Sequence, residues 1–454
     1  MNRTSYWRVA SNVLGAFGVD SSGSMTTVFM MSLLVLIPAL GGAIDIGNSY
    51  RVREQLLGAA DAAILAAVAT NSASYLGISS HDGDGRFAAA EEAAKDAFKA
   101  QLAGQPNVQT NVTATIEKSG WTVTATVAFE AKVKTNFLGM IGLPELTVDG
   151  HSSSFNTLPA YINLHLLLDN SPSMGIAATQ ADMDTMVANT TGNNAGGCAF
   201  ACHELDAASL PQGIDNYTIA HILGVTTRID VLRRATQDLM DTAAAMAVAP
   251  NQYGVAIDTF NTSLQPVSPM STNLAAAKTN AAAIDLMVVS AQGANNDRDT
   301  SFDTVLPQFD ATVPTSGSGK SPADPQRVAF IVTDAVADEV ASTTPTTVAG
   351  ASSLVVYPAP ATPQDRLIQT INPSLCQSMK DRGIKVAVIY TTYLPLPANS
   401  FYTSWVQPWE AEINPNALAC ASPGLFFEVS PTQDLSATMK SVFQSVVANA
   451  RLTQ

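Results

Sequence analysis

The chain of 454 residues is too long for one ordinary domain and long enough for two or three. It carries 38 acidic against 23 basic side chains, a formal net charge of −15, which excludes a nucleic-acid binder that depends on a basic face. Hydrophobic residues make up 46% and supply a sizeable core, while charged residues at 13% leave much of the surface to Ser, Thr, Asn and Gln.

Residues 1–24 read as a short polar tail, slightly basic through Arg3 and Arg8 against Asp20. Met25 to Ile44 then contains no charged residue. About 20 apolar residues suffice to cross a bilayer as a helix, and Pro38, Gly41 and Gly42 are tolerated there. The run exceeds a usual signal-peptide core of roughly 7–15 residues, so an uncleaved anchor is expected. The basic tail favours an N-terminus in the cytoplasm. The four cysteines, Cys198, Cys202, Cys376 and Cys420, all lie downstream, and an even count at low density suits disulfides on the exported side.

From Asp45 to Thr70 the chain is Ala-rich and Pro-free, and it continues as a helix. Leu56, Ala60, Ala63, Ile64, Ala67 and Val68 fall near one face of it. A polar break over 77–85 precedes a second amphipathic helix over 86–102. The period then changes to two. Strands over 108–117 and 121–134 flank Lys118-Ser119-Gly120, a hairpin signal, and 146–155 reads as a third strand. Residues 45–157 thus form a small α+β unit.

The remainder, 158–454, alternates strands over 161–169, 253–260, 327–334, 385–392 and 425–430 with helices over 227–248, 274–289, 367–382 and 434–450. That order predicts an α/β domain with a doubly wound, mainly parallel sheet. Insertions at 176–225 and 337–366, rich in Ala, Thr, Pro, Asn and Gly, are expected at the surface. The first strand is apolar up to Leu168 and then stops at Asp169-Asn170-Ser171-Pro172-Ser173. In open α/β sheets, ligands bind just outside the carboxyl ends of strands. One carboxylate and two hydroxyls at alternate positions make a hard oxygen set suited to Mg²⁺. The bland alternative is a strand followed by an Asx turn.

Cys198-Ala199-Phe200-Ala201-Cys202-His203 departs from a haem attachment motif, which has two residues between its cysteines. A local 198–202 disulfide closing a tight loop is expected instead, with a second, 376–420, tying a helix to a loop. Four cysteines allow three connectivities in all. The histidines, 81, 151, 165, 203 and 221, are scattered, and Ser171 has no evident base. Neither a phosphate loop nor a Gly-x-Ser-x-Gly or His-Glu-x-x-His motif is present, so a non-enzymatic protein is expected. A metal-dependent hydrolase is the least favoured class.

Two stretches carry family resemblances. Gly23-Ser24-Met25, the apolar span, Gly42-Ala43-Ile44-Asp45, Tyr50, Arg53, Gln55-Leu56 and Ala59-Ala60-Asp61-Ala62-Ala63 resemble the N-terminal segment of Tad/Flp pilus-assembly proteins of the TadE/TadG type. Pilin-like members of that system are cut after a Gly that a Glu soon follows. Here no Glu follows Gly23 at that spacing, so no such cleavage is expected. The resemblance implies a single-pass protein of the bacterial inner membrane with its large domain in the periplasm. The second resemblance is of Asp169-x-Ser171-x-Ser173, within the strand–helix alternation, to the von Willebrand factor A-type domain and its metal site, MIDAS. It implies a Thr from a second loop and an Asp at a later strand end. Asp334 closes the apolar run Val328–Thr333 and fits well. Thr300, in an acidic loop with Asp297, Asp299 and Asp303, is the Thr, although its Gly293 stands further away than the usual Gly-x-Thr; Ser301 is a substitute.

The implied cofactor is Mg²⁺ or Mn²⁺ on Asp169, Ser171, Ser173, Thr300 and Asp334. With few direct anions, such a metal is free to accept an acidic side chain from a partner. The expected partners are other Tad/Flp pilus-assembly proteins. The alternative is an extracellular adhesin that uses the same site.

Overall fold

In a computed structural model, the structure describes residues 24–81, 83–102, 108–290, 299–340, 355–358, 365–392, 402–430 and 434–449. The basic tail up to residue 23, Gly293 and Asp297, and much of the 337–366 insertion lie outside them. The chain divides into two compact units at Thr157 and Leu158.

The first unit is built on one helix, α1, Ser24–Val68, 45 residues long. At 1.5 Å per residue it reaches about 67 Å, roughly twice a bilayer core. Its first half exposes Met25, Phe29, Met31, Leu34, Val35, Ile37 and Leu40, and Pro38 lies within it. Its second half buries Leu56, Ala60, Ala63, Ile64, Ala67 and Val68, the face the sequence periodicity picks out. That face meets α2, Ala88–Gln101, and an antiparallel sheet of β1, Val108–Ser119, β2, Thr122–Lys134, and β3, Glu145–Thr157, edged by the short strand Gly85–Arg86. At Gly150 a Cβ would come 2.6 Å from the Phe129 ring and 3.1 Å from Leu57, so glycine lets both pack against this strand.

Polar residues of the Tad-like stretch fasten α1 to this sheet. Arg53 Nε donates to the Asp149 carbonyl at 3.0 Å, and Ser152 Oγ donates to Asp61 Oδ1 at 2.5 Å. Asp45 is 3% exposed and accepts three backbone amides, from Asn136 at 3.0 Å and from Phe137 and Leu138 at 2.8 Å. Burial works to raise its pKa, but those three amides outweigh it and hold the carboxyl below its ordinary value.

The second unit centres on β4, Ile162–Asp169, an apolar strand buried on both faces. After it come α3, Arg228–Met246; β5, Tyr253–Phe260; β6, Leu264–Ser271; α4, Phe302–Thr312; β7, Gln326–Thr333; β8, Lys385–Thr391; α5, Ile413–Cys420; β9, Phe426–Val429; and α6, Leu435–Asn449. The six strands stand in the order β9-β8-β7-β4-β5-β6. Five run parallel, and β6 pairs antiparallel with β5, so the sheet is mixed. Only Asn261, Thr262 and Ser263 join β5 to β6, and a parallel crossover needs a dozen residues or more. Pro266 and Pro269 suit this edge position. One core cluster joins Leu167, Ala329, Ile331, Val386 and Val388 of the sheet to Phe302, Phe309, Met379, Trp409 and Ile413. A separate pair, α3 and α6, packs together, with Phe443 edge-on to Tyr253.

Three expectations are corrected. The helix expected over 274–289 stops at Asn280, and Val288–Val289 instead pairs with His203–Glu204. The helix expected over 367–382 is a strand, Asp365–Thr370, then a turn over Pro373–Cys376 and a short helix, Gln377–Asp381. Pro373 bars the α region to Asn372, and the strand pairs with Val336–Val340. Finally, Cys198 and Cys202 are not joined to each other. Phe200, between them, instead bridges Ile176, and Ala201 N donates to the Gly175 carbonyl. Cys376 and Cys420 do form a disulfide, with Cα atoms 5.3 Å apart.

Candidate metal centre

The carboxyl ends of β4 and β7 lie side by side, since Val332 is in register with Leu168. The residues following them, Asp169 and Thr333, meet directly. Thr333 Oγ1 donates to Asp169 Oδ2 at 2.6 Å. The other oxygen, Asp169 Oδ1, accepts from Ser171 N at 2.9 Å and from Ser171 Oγ at 2.6 Å. Ser171 Oγ is in turn 3.0 Å from Ser173 Oγ. This chain of contacts fixes three of the expected ligands in one hydrogen-bonded row. Asp169, Ser171 and Asp334 are fully buried.

Asp334 follows Thr333, and its Oδ1 accepts from Val336 N at 3.3 Å. Its Oδ2 is buried without a hydrogen-bond partner. The next residue, Ala335, has φ +59°, a left-handed conformation that costs a non-glycine residue about 1–2 kcal/mol. Thr333 Oγ1 accepts from Ala335 N at 3.0 Å and so holds that turn. Burial raises the pKa of Asp169, and the neighbouring Asp334 charge raises it further, against the Ser171 and Thr333 hydroxyls. Burial also raises Asp334, opposed by the Ser173 hydroxyl and the Arg228 charge. Two repelling carboxylates sealed from water are a setting that a cation relieves.

Thr300 is buried in the neighbouring loop. Its backbone forms an isolated bridge with Asp338, and Ser301 N donates to the Asn261 carbonyl at 3.0 Å. Asn261 Nδ2 reaches Asn170 Oδ1 at 3.2 Å, which stitches this loop to the Asp169 loop. Among the described residues, no hydrogen bond links the Thr300 hydroxyl to the other four candidates. Ser301 turns elsewhere, donating to Glu339 Oε2 at 3.0 Å, with Thr304 Oγ1 2.9 Å from the same hydroxyl.

The donor chemistry fits a hard divalent cation. The Ser171 proton goes to Asp169, which leaves lone pairs on Oγ, and Asp334 adds a second, fully buried carboxyl. Among the described residues, no three His, Cys, Asp or Glu side chains gather as a metal site. Sequence reasoning missed Thr333, Asn170 and Asn261 as positioning residues. The Thr-Asp pair at the end of an apolar strand was the available signal for Thr333.

The described residues thus define a class: an α+β unit on a long apolar helix, with an α/β unit whose central strands end in buried carboxylates and hydroxyls. Residues 23–70 match the family model described as "Putative Flp pilus-assembly TadE/G-like". That match covers the apolar span together with Asp45, Arg53 and Asp61. No curated protein matches the chain.

Several solved structures are similar at low identity. The von Willebrand factor domain of the type V pili tip protein Mfa5 from Porphyromonas gingivalis is 11% identical, over 65% of this chain and 98% of that one, with a TM-score of 0.38. The conserved hypothetical protein BatB from Bacteroides thetaiotaomicron is 11% identical, over 63% and 99%, with a TM-score of 0.32. The PilB minor pilin from Streptococcus sanguinis is 11% identical, over 76% and 80%, with a TM-score of 0.33. Likeness at that level transfers neither ligand nor activity.

Proposed function

We propose that this protein is a non-enzymatic component of Tad/Flp pilus assembly, anchored in the inner membrane by residues 25–44 with its second unit in the periplasm. In this reading the second unit is a von Willebrand A-type domain. Asp169, Ser171, Ser173, Thr300 and Asp334 hold Mg²⁺ or Mn²⁺ directly or through water. The bound ion supplies a Lewis-acid seat for one acidic side chain of a partner. The chain's own residues fix that seat: Thr333 and Ser171 orient Asp169, and the Ala335 turn aims Asp334.

The observation that carries the reading is the hydrogen-bonded row Asp169–Ser171–Ser173 at the end of β4, with Asp334, fully buried, at the end of the adjoining strand β7. The pilus context rests on the match over residues 23–70. A non-enzymatic role is supported by the pilus-assembly match over residues 23–70.

The test is affinity capture of the tagged full-length protein from solubilised membranes, in Mg²⁺ or in EDTA. Tad/Flp components should co-purify with the wild type in Mg²⁺ and be lost in EDTA and in Asp169→Ala. Capture that ignores both the chelator and the substitution would refute a metal-dependent contact.

A further inference from the structure

Residues 135–144, Thr-Asn-Phe-Leu-Gly-Met-Ile-Gly-Leu-Pro, join β2 to β3 and contain no charged side chain. A single turn over Leu138–Ile141 shapes this loop, closed by Leu143 N to Leu138 O at 3.0 Å and by Gly142 at φ +93°. The loop is therefore built, yet its tip is not covered. Met140 is 78% exposed, Ile141 56% and Leu143 51%. Burying such side chains is worth about 1.5–3 kcal/mol each, so a tip of three is costly to leave in water.

The loop's position on α1 identifies what covers it. Asp45 takes the amides of 136, 137 and 138. Gly41 faces Phe137 so closely that a Cβ there would meet the ring at 2.3 Å, and a Cβ on Gly42 would meet Leu138 Cδ2 at 3.0 Å. These contacts hold the loop at the last turn of the charge-free span, with Gly41 about 4.5 Å short of Ile44 along the axis. Lys134 and Glu145, the first charges on either side, flank the loop. An exposed apolar tip clamped beside the end of a membrane span lies at the depth of the headgroup–acyl boundary.

We propose that the loop 137–143 inserts its Met140–Ile141 tip into the bilayer surface as a second membrane contact beside α1. The occupant is the acyl region of phospholipid, which continues the surface already covering residues 25–44. A single helix is free to rotate and tilt. A helix with a lipid-seated loop clamped to it is not, so the β1–β3 sheet is held at a fixed attitude on the membrane. Asp45, Gly41 and Gly42 then serve as the clamp, which gives the Gly-Gly-x-x-Asp stretch a mechanical role. The inference rests on the reading that residues 25–44 span the bilayer.

The experiment uses the full-length protein in vesicles of phosphatidylethanolamine and phosphatidylglycerol doped with a diazirine phospholipid. After irradiation and digestion, lipid adducts are mapped by mass spectrometry. Adducts are expected on 137–143 as well as on 25–44. In Met140→Ser with Ile141→Ser, loop adducts should fall by about tenfold or more while those on the span persist, because burial of these side chains is worth more than a decade of partition. Adducts on the span with none on the loop would overturn the proposal and leave the anchor standing. An absence of adducts on the span would overturn the anchor, and the proposal with it.

Discussion

Lowering the pH should destabilise the second unit through His165. This side chain is 5% exposed in the middle of β4, in register with Ala329 and Ala256, whose small side chains make room for the ring. Its Nε2 has no hydrogen-bond partner. Burial, with the Arg327 charge adding to it, lowers its pKa from 6.5 to about 4. Above pH 6.5 the folded and unfolded chains both carry a neutral ring, and the group contributes its full stability. As the pH falls, the unfolded chain gains a proton that the folded one refuses. Stability is lost progressively between about pH 6.5 and pH 4, and the loss then levels off. With those two pKa values the loss is about 2 kcal/mol at pH 5 and about 3 kcal/mol at pH 4. The assay is urea unfolding of the full-length chain in detergent, at pH 7.5 and pH 5, followed by Trp fluorescence with Trp7 and Trp121 replaced by Phe so that Trp405 and Trp409 report the second unit. In His165→Leu the drop between the two pH values should shrink by that amount. An equal drop in both proteins would show that the imidazole titrates normally, and the burial argument would fall.

Other consequences follow from the same contacts. Thr333→Val removes the hydroxyl that holds both Asp169 and the Ala335 turn, and should weaken Mg²⁺ binding by about 10–100-fold, read by calorimetry, with the fold retained by circular dichroism. Opening the Cys376–Cys420 bridge by Cys376→Ser with Cys420→Ser should cost about 4 kcal/mol in urea unfolding, for a sequence separation of 44. In thermal unfolding, Mg²⁺ at about 100 times its dissociation constant should add about 2.7 kcal/mol over EDTA in the wild type and nothing in Asp169→Ala.

The parts of the fold that were legible in the sequence are those where one physical signal acts alone. The strand 161–169 and the strand ending at Thr333 are long apolar runs that a parallel interior demands. The hairpin around Gly120, at φ +56°, follows from period two and a turn glycine. The helix face through Leu56, Ala60 and Ala63 follows from period 3.6. Where tertiary pairing competed with local preference, the sequence misled. Leu367 and Ile368 sit in a strand because Val336–Val340 is available to pair with it. Helix α4 was not anticipated, because Pro307 lies inside it. The Cys198–Cys202 spacing suggested a loop disulfide, whereas Phe200 between them bridges Ile176 and the two thiols are not joined. In the candidate centre, the Asp-x-Ser-x-Ser row was legible from spacing. Thr333 showed only as half of the Thr-Asp pair closing an apolar strand, and its contact with Asp169 depends on two strands separated by more than 150 residues lying in register.

The most direct test of the account is calorimetric titration of Mg²⁺ and Mn²⁺ into the full-length protein, beside Asp169→Ala and Asp334→Asn. One saturable site in the wild type, lost in both variants, is the predicted result. Heats that are the same in all three proteins, or binding in none of them, would contradict a metal centre at the ends of β4 and β7.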